Sequence, residues 1–319
     1  TPGSLKARHC ANGRRMLYDY LAARAVPHSR TGKLIVATNS EEDAQLAGIA
    51  ARAAANGLTG DDALVSLSGA EARGMEPALA CTSALLSPAT GIVDSHGLMQ
   101  ALQGDAENAV AMFSFGSTVT GFRPGPPHIL TGTSQGEAWE LAADRVIVAA
   151  GLHSASLMRG AGLGAYVPQG YWLKGNYFVL THRGPFQRLF YPVPVKGGLG
   201  VHVTLDIGGG TRFGPDTQPV ETLDYTVDAS RAGAFEQAIR RYWPGLPEGA
   251  LVPGYAGIPP KLHATAGQDP DFVIAAPGAA AGQSGADALV VLHGIESPGL
   301  TACLSLAEAA VDALTGPAA

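Results

Sequence analysis

The chain has 319 residues, 46% hydrophobic and 15% charged, with a formal net charge of −6. That length and balance suit one large or two moderate globular domains with a proper core and exclude a disordered chain. The acidic balance leaves no basic footprint for nucleic acid, and no apolar run approaches the roughly 18 residues of a membrane span.

The first residues do not read as a charged-then-apolar signal segment. The chain opens on Thr1 rather than on a methionine, so a natural start further upstream is expected, and a cytoplasmic location is the working expectation. Cys10, Cys81 and Cys303 are widely spaced. They form neither a metal pattern nor an even disulfide framework, so buried free thiols and no metal are expected.

Ser4 to Ala25 carries Leu5, Met16, Leu17, Tyr20 and Leu21 at helical spacing, with Ser4 able to cap the start. Gly32 to Ala37 reads as a strand. Ser40 opens a helix with Glu41, Glu42 and Asp43 in its first turn and Gly57 past its end. Ser68-Gly-Ala-Glu71 is a capping-box pattern for a short helix ending before Pro77. Asp94 or Ser95 caps a helix to about Asn108. Val110 to Phe122 reads as extended, Pro124 to Pro127 as a loop, and Ile129 to Leu141 as a hairpin broken at Gly132 to Gly136.

Arg145 to Ala149 is a short buried strand followed by Ala150-Gly-Leu-His153. Tyr177 to Leu180, Leu189 to Tyr191, Gly200 to Leu205 and Leu251 to Gly257 read as strands of a broad, largely antiparallel sheet. Gly208 to Gly210 is a turn. Ala229 to Tyr242, behind Asp228, is a helix with Phe235, Ile239 and Tyr242 on one side. Ala279 to Gly285 is a loop of small residues. Ala288 to Leu292 then reads as a buried strand, a turn rich in Gly and Pro follows, and Ala302 to Leu314 is apolar on nearly every face, as in a deeply buried helix. The turn is open to two readings. It is an ordinary strand–turn–helix, or its free amides hold an anion or an electron-rich ring edge.

The wording of that turn, Gly294-Ile-Glu-Ser-Pro-Gly-Leu-Thr301, closely resembles the C-terminal flavin-contacting motif of FAD-dependent oxidoreductases of the D-amino-acid-oxidase-like superfamily. The nearest branch is the L-2-hydroxyglutarate dehydrogenase/oxidase group. Ser4 to Cys10, Gly32 to Ala37, Gly91-Ile-Val-Asp94, Ala149 to His153, Tyr191-Pro-Val-Pro194 and Gly200-Val-His-Val-Thr204 resemble family segments in the family's order.

The resemblance implies an α/β (α+β) fold. It would have a GR2-type FAD domain at 1–31, 92–165 and 286–319 and a mixed, largely antiparallel-sheet substrate domain at 32–91 and 166–285. It also implies FAD as cofactor, a small hydroxy-acid substrate, an electron acceptor of unspecified kind, and hydride transfer to flavin N5. Nothing in the chain matches G-x-G-x-x-G between a strand and a helix, the unit whose bare amides hold the FAD pyrophosphate. An N-terminal truncation and weak FAD binding by this polypeptide are therefore expected.

Cofactor contacts implied by the resemblance are Ala150, Gly151 and Leu152, then Gly294, Ser297, Pro298, Gly299, Leu300 and Thr301, with Val119 beside the adenine. For Gly151 a plain left-handed turn explains the residue equally well, and for Val119 a core position does. Taking a proton from a hydroxyl suits an imidazole. The resemblance puts His202 ahead of His153 and His293, although a polar-face histidine in a strand is the simpler structural account. Lys6, Lys174, Tyr177 and Tyr191 match positions that could hold substrate carboxylates. Pro259 stands where the family usually has Arg, so Lys261 could compensate only as a point charge. The enzyme alternative is an amino-acid oxidase of the same superfamily. The other is a non-catalytic fragment that keeps a ligand cleft.

Overall fold

The computed structural model describes residues 1–193, 200–262, 270–277 and 288–315, and the chain divides into two compact units. Unit 1 comprises Thr1–Pro2, Asp19–Gln103 and Leu173–Ile258; unit 2 comprises Gly3–Tyr18, Gly104–Trp172 and Pro259–Ala319. The boundaries expected after residues 31 and 91 both fall inside unit 1. There the strand His28–Ser29 pairs antiparallel with Ile92–Val93, tying the flanks of both boundaries into one body. The loop expected at Ala279 to Gly285 lies outside the described residues, as do His263, Asp287 and Pro194.

Unit 1 is built on a sheet whose strands run in the order Gln218–Pro219, Tyr171–Leu180, Thr211–Gly214, His202–Leu205, Leu189–Pro192, Lys33–Ala37, Ser83–Ser87 and Val65–Ser68. Leu251–Gly257 pairs along Tyr171–Leu180 as well. Leu189–Pro192 runs parallel to Lys33–Ala37, and the other pairs are antiparallel, as the sequence pattern suggested.

Alternation along these strands sends Leu34, Val36, Phe178, Phe190, Val203 and Phe213 to one side, all fully buried. The helix Ala232–Arg240 covers them with Phe235 and Ile239, one turn apart, and Tyr242 and Trp243 follow at its end. Tyr242 donates its hydroxyl proton to the Val201 carbonyl at 3.0 Å, so its polar tip is satisfied inside the core. On the other side of the sheet the helix Ser40–Ala55 packs Leu46 onto Ala37, Leu85 and Val193. Asn39 caps that helix by accepting from the Glu42 amide. The capping box at Ser68 and Glu71 is present. Asp94 is the cap of Ser95–Asn108, accepting from His96 and Gly97.

Unit 2 contains the sheet Val273–Ala275, Leu289–His293, Val146–Val148, whose last pair is parallel. It also contains a meander of Ser117–Arg123, His128–Ser134 and Glu137–Ala143. Three expectations change here. The segment from Val110 is not extended until Ser117, because Val110 at φ +62° and Ala111 bond back to Glu107 and Ala106. The hairpin is broken only at Gln135 and Gly136. Gly132 lies inside a strand, where a Cβ would collide with the Thr118 carbonyl and the Trp139 ring. Finally, the helix Gly299–Thr315 is not buried all round. Ala302, Ser305, Leu306 and Ala310 face inward, while Leu300 and Val311 are about half exposed at 51% and 49%. Alanine supplies helix propensity without demanding burial, so an alanine-rich run overstates how buried its helix is.

The helix Leu5–Ala23 starts under Asp271, whose carboxylate accepts from the Leu5 and Lys6 amides at 2.6 and 2.8 Å. Within unit 2, Gly13 of this helix meets Gly299–Thr315 so closely that a Cβ would lie 2.6 Å from the Thr301 carbonyl oxygen and 2.8 Å from the Ala302 Cα. Both are backbone atoms and cannot rotate away. Replacing Gly13 by Ala should therefore destabilise the protein by about 1–3 kcal/mol through overpacking. That outweighs the roughly 1 kcal/mol that alanine gains in helix propensity. Urea unfolding curves would show it, and an unchanged or raised midpoint would contradict the close approach.

Candidate functional site

In unit 1 the face of the sheet opposite the phenylalanine core is apolar under the helix Ser40–Ala55 and polar beyond it. Residues 33, 35 and 37 share that face of their strand, and Tyr191 and His202 lie on it in the strands alongside. Tyr191 and His202 stack, with ring centroids 3.6 Å apart and planes 6° from parallel. The Lys33 ammonium sits 4.3 Å from the Tyr191 ring centroid. Tyr177 stacks on Tyr255 at 4.4 Å. The Arg212 guanidinium lies 5.8 Å from the Tyr255 ring and bonds Asp206 at 3.1 Å.

Burial and the Lys33 charge push the His202 imidazole down to about 4, so it is neutral at neutral pH. Burial raises both Tyr177 and Tyr191, and each phenol keeps its proton. Three sequence-predicted residues, His202, Tyr191 and Tyr177, thus share this face. Lys33, Arg212 and Tyr255 were missed; the only signal was their odd or even position along strands whose pairing was not yet known.

Lys174 lies apart from this group. It is buried and donates to the Thr226 carbonyl at 2.9 Å and to Asp224 at 3.3 Å, so its charge is met by the protein. A groove of about 570 Å³ in unit 1 is lined by His28, Arg183, Phe186, Leu205 and Gly209 among others. Tyr191 and His202 are not among its lining residues.

In unit 2 two turns face one cavity of about 240 Å³, lined by Gly151, Leu152, His153, Lys261, His293 and Gly294 among others. Gly151 adopts φ +55° at the start of a short 3-10 turn, and a Cβ there would meet nothing within 4 Å. Its backbone angle requires glycine, and crowding within the protein does not. Gly294 adopts φ +68°, and a Cβ there would strike Leu262 Cδ1 at 2.6 Å, so both angle and space demand glycine. Ser154, one residue past the first turn, has a buried hydroxyl without a hydrogen-bond partner among the described residues. The second turn is closed by Glu296 N–H to Gly294 O at 2.9 Å and Gly299 N–H to Glu296 O at 2.5 Å.

Ser297, Pro298, Gly299, Leu300 and Thr301 carry the chain into Gly299–Thr315. The first amides of that helix have no intrahelical acceptor. Val119 is 40% exposed beside an irregularity in the strand pairing, so it is not a core valine. Lys6 and Lys261, expected to face substrate, both bond the Glu296 carboxylate, Lys6 at 3.3 Å. Lys6 also lies 5.6 Å from the Phe272 ring centroid.

The cavity is smaller than the roughly 300–1,000 Å³ usual for a drug-sized ligand. Its size and its two amide-rich turns fit the ring end of a flavin rather than a whole dinucleotide. The three cysteines are free and half-buried, and burial raises Cys81 and Cys303. Among the described residues no group of three or more His, Cys, Asp or Glu side chains could hold a metal, and no helix is long and apolar enough to cross a membrane.

Mixed sheets with a strand–turn–helix of this kind define an α/β fold class, and comparison with known proteins makes it specific. The FAD dependent oxidoreductase (DAO) family model matches residues 1–313, and the chain belongs to that family, whose cofactor is FAD. It is 38% identical to the mitochondrial L-2-hydroxyglutarate dehydrogenase of Arabidopsis thaliana, over 96% of this chain and 71% of that protein. It is 30% identical to the L-2-hydroxyglutarate dehydrogenase of Salmonella houtenae, over 68% of this chain and 50% of that one. The chain thus spans half to about seven-tenths of these relatives. Among solved structures, FAD-bound L-alpha-glycerophosphate oxidase from Mycoplasma pneumoniae matches with a TM-score of 0.84 at 22% identity, covering 98% of this chain and 80% of that one. L-proline dehydrogenase from P. horikoshii matches at 0.79 and 16%, covering 98% and 80%. At these identities the structural matches speak for the fold alone.

The depressed His202 makes stability depend on pH. The unfolded chain takes up this proton near 6.5 and the folded chain only near 4. Between those values the unfolded state binds more protons, so stability falls as pH drops from about 6.5 towards 4. Above that window His202 contributes no slope. His202→Phe should therefore lose less melting temperature than wild type between pH 7.5 and 5, even though His9 and His293, also lowered chiefly by burial, remain. Equal losses in a pair of scanning-calorimetry series would show that His202 is not held neutral.

Proposed function

We propose that the reaction is oxidation of a 2-hydroxy acid to the 2-oxo acid, with L-2-hydroxyglutarate or a close relative as substrate. The observation that carries this reading is the imidazole of His202 stacked on Tyr191, on a face that also holds Tyr177 and two cations. The likeness to L-2-hydroxyglutarate dehydrogenases supports the substrate class.

Oxidation removes a proton from the hydroxyl and a hydride from the carbon that bears it. Bound FAD supplies the acceptor for the hydride. His202, uncharged at neutral pH, accepts the hydroxyl proton. Tyr177 and Tyr191 keep their phenol protons and donate hydrogen bonds to the substrate's oxygens. In unit 2 the amides of Gly151 and Leu152 after Ala150, and those at Gly294 and from Ser297 through Gly299 to Thr301 around Pro298, would hold the electron-rich edge of the flavin ring. Val119 would face the adenosine end. Lys6, Lys174 and Lys261 are reassigned to protein carboxylates and support the turns and strands that carry these groups.

Anaerobic addition of L-2-hydroxyglutarate to FAD-loaded protein should bleach the flavin absorbance and yield one 2-oxoglutarate per flavin. Glycine and L-proline should leave the spectrum unchanged; bleaching by amines alone would replace this reading with amine oxidation. His202→Gln should lower kcat by about 10²–10⁴, the range for losing a general base. A loss below tenfold would remove His202 from that role.

A further inference from the structure

The groove of about 570 Å³ in unit 1 takes no part in the chemistry proposed above, yet its volume lies within the roughly 300–1,000 Å³ usual for a small-molecule site. Three segments wall it. One is the strand His28–Ser29 with Ile92, the partner of Ser29. The second is the loop that carries Arg183 and Phe186. The third is the turn from Leu205 to Gly209, between the strands His202–Leu205 and Thr211–Gly214.

The protein itself fixes these walls. Phe186 is 6% exposed and packs its ring against Phe190 and Trp243 at 4.7 and 5.2 Å, so the apolar part of the groove is anchored in the main core. The loop is tied down where the buried Glu76 carboxylate accepts from the Gln187 amide at 3.2 Å. The turn is closed by Gly209 N–H to Asp206 O at 2.9 Å and Asp206 N–H to Gly210 O at 3.0 Å. Walls held in this way are set before a ligand arrives, so binding costs little ordering.

Arg183 and Asp206 bring opposite charges to this lining. Asp206 is engaged, accepting from the Gly210 amide at 2.8 Å and from Arg212 at 3.1 Å. The Arg183 guanidinium makes no hydrogen bond or ion pair among the described residues. It lies against Gly209, where a Cβ would come within 3.3–3.4 Å of its Nη2, Cζ and Nε atoms. Ile207, in the same turn, is 44% exposed. One side of the groove thus offers an unengaged planar cation and the rest offers apolar surface.

We propose that this groove is a second small-molecule site, separate from the polar face of His202, for a monocarboxylate with an apolar body. A planar guanidinium pairs with a planar carboxylate through two parallel hydrogen bonds. The apolar body lies on Phe186, Ile92, Leu205 and Ile207. Asp206 sets the charge limit. Its carboxylate stands in the same lining and repels a second negative charge, which disfavours phosphate and dicarboxylates. The substrate proposed for the polar face is a dicarboxylate, so the two sites select different molecules.

The test is calorimetric titration of the whole chain with octanoate, octan-1-ol, acetate and suberate. Octanoate should bind saturably at one site per chain. Octan-1-ol lacks the charge, acetate lacks the apolar body and suberate adds a second carboxylate; each should bind at least tenfold more weakly. Arg183→Gln should weaken octanoate at least tenfold and Ile207→Ser at least threefold. Both positions are exposed, so melting temperature should not change. Saturating L-2-hydroxyglutarate should leave octanoate affinity as it was. The proposal is overturned by no saturable binding at millimolar octanoate, by equal binding of octanoate and octan-1-ol, or by equal affinity in wild type and Arg183→Gln. Displacement of octanoate by L-2-hydroxyglutarate would overturn it too, because the two would then share one site.

Discussion

The candidate chemistry depends on the register of one short strand. His202–Leu205 pairs with Thr211–Gly214 and with Leu189–Pro192 so that Val203 enters the phenylalanine core and His202 faces away from it. A slip of one residue would exchange the two, burying an imidazole among Phe178, Phe190 and Phe213 and exposing a valine. The apolar side forbids that slip. Val201, Val203, Phe190 and Phe213 are fully buried, and the Tyr242 hydroxyl holds the Val201 carbonyl. The polar face is therefore aligned by what is packed behind it, and the Tyr191–His202 stack follows from two core strands being locked in place.

Much of this was readable in the chain itself, and the legible parts have a common cause. Period-two alternation marked Gly200-Val-His-Val-Thr204, the capping pattern marked Ser68 and Glu71, and the helical spacing of Phe235, Ile239 and Tyr242 marked the helix that covers the core. Each is a local signal. Contacts between residues far apart in sequence left none. Nothing in Gly32-Lys-Leu-Ile-Val-Ala37 says that Lys33 will lie over Tyr191, because that requires a parallel pairing of distant strands. Arg212 on Tyr255 was hidden for the same reason. Composition misled where alanine dominates: an apolar count cannot distinguish a buried helix from one that shows Leu300 and Val311 to solvent.

The lysines were legible as charges and illegible as partners. Lys6 and Lys261 come from opposite ends of the chain, yet both end on Glu296 in the middle of the Gly294–Gly299 turn. The carboxylate is 7% exposed and the two cations 10% and 24%. Charges so poorly hydrated need each other, and removing one partner would strand the rest at a cost of about 3–5 kcal/mol. A substrate carboxylate seeking either lysine would have to displace Glu296 and leave it unpaired. The pair is better understood as anchoring the turn to the helix Leu5–Ala23 on one side and to the short strand Pro260–Lys261 on the other.

The two glycines that face the unit 2 cavity show how a backbone can be prepared for a ring at two different levels. Gly294 is confined by Leu262, so its shape is set by the protein's own packing. Gly151 has open space where a side chain would be, and only its backbone angle calls for glycine. Such openness is useful where something else must come close: a Cβ at Gly151 would project into room that the protein leaves clear. The buried Ser154 hydroxyl, without a partner among the described residues, lies just beyond the same turn. An unpaired buried hydroxyl costs about 1–3 kcal/mol. Packing explains Gly294; at Gly151, an exposed position, the backbone angle alone calls for glycine and leaves the cavity wall there without a side chain.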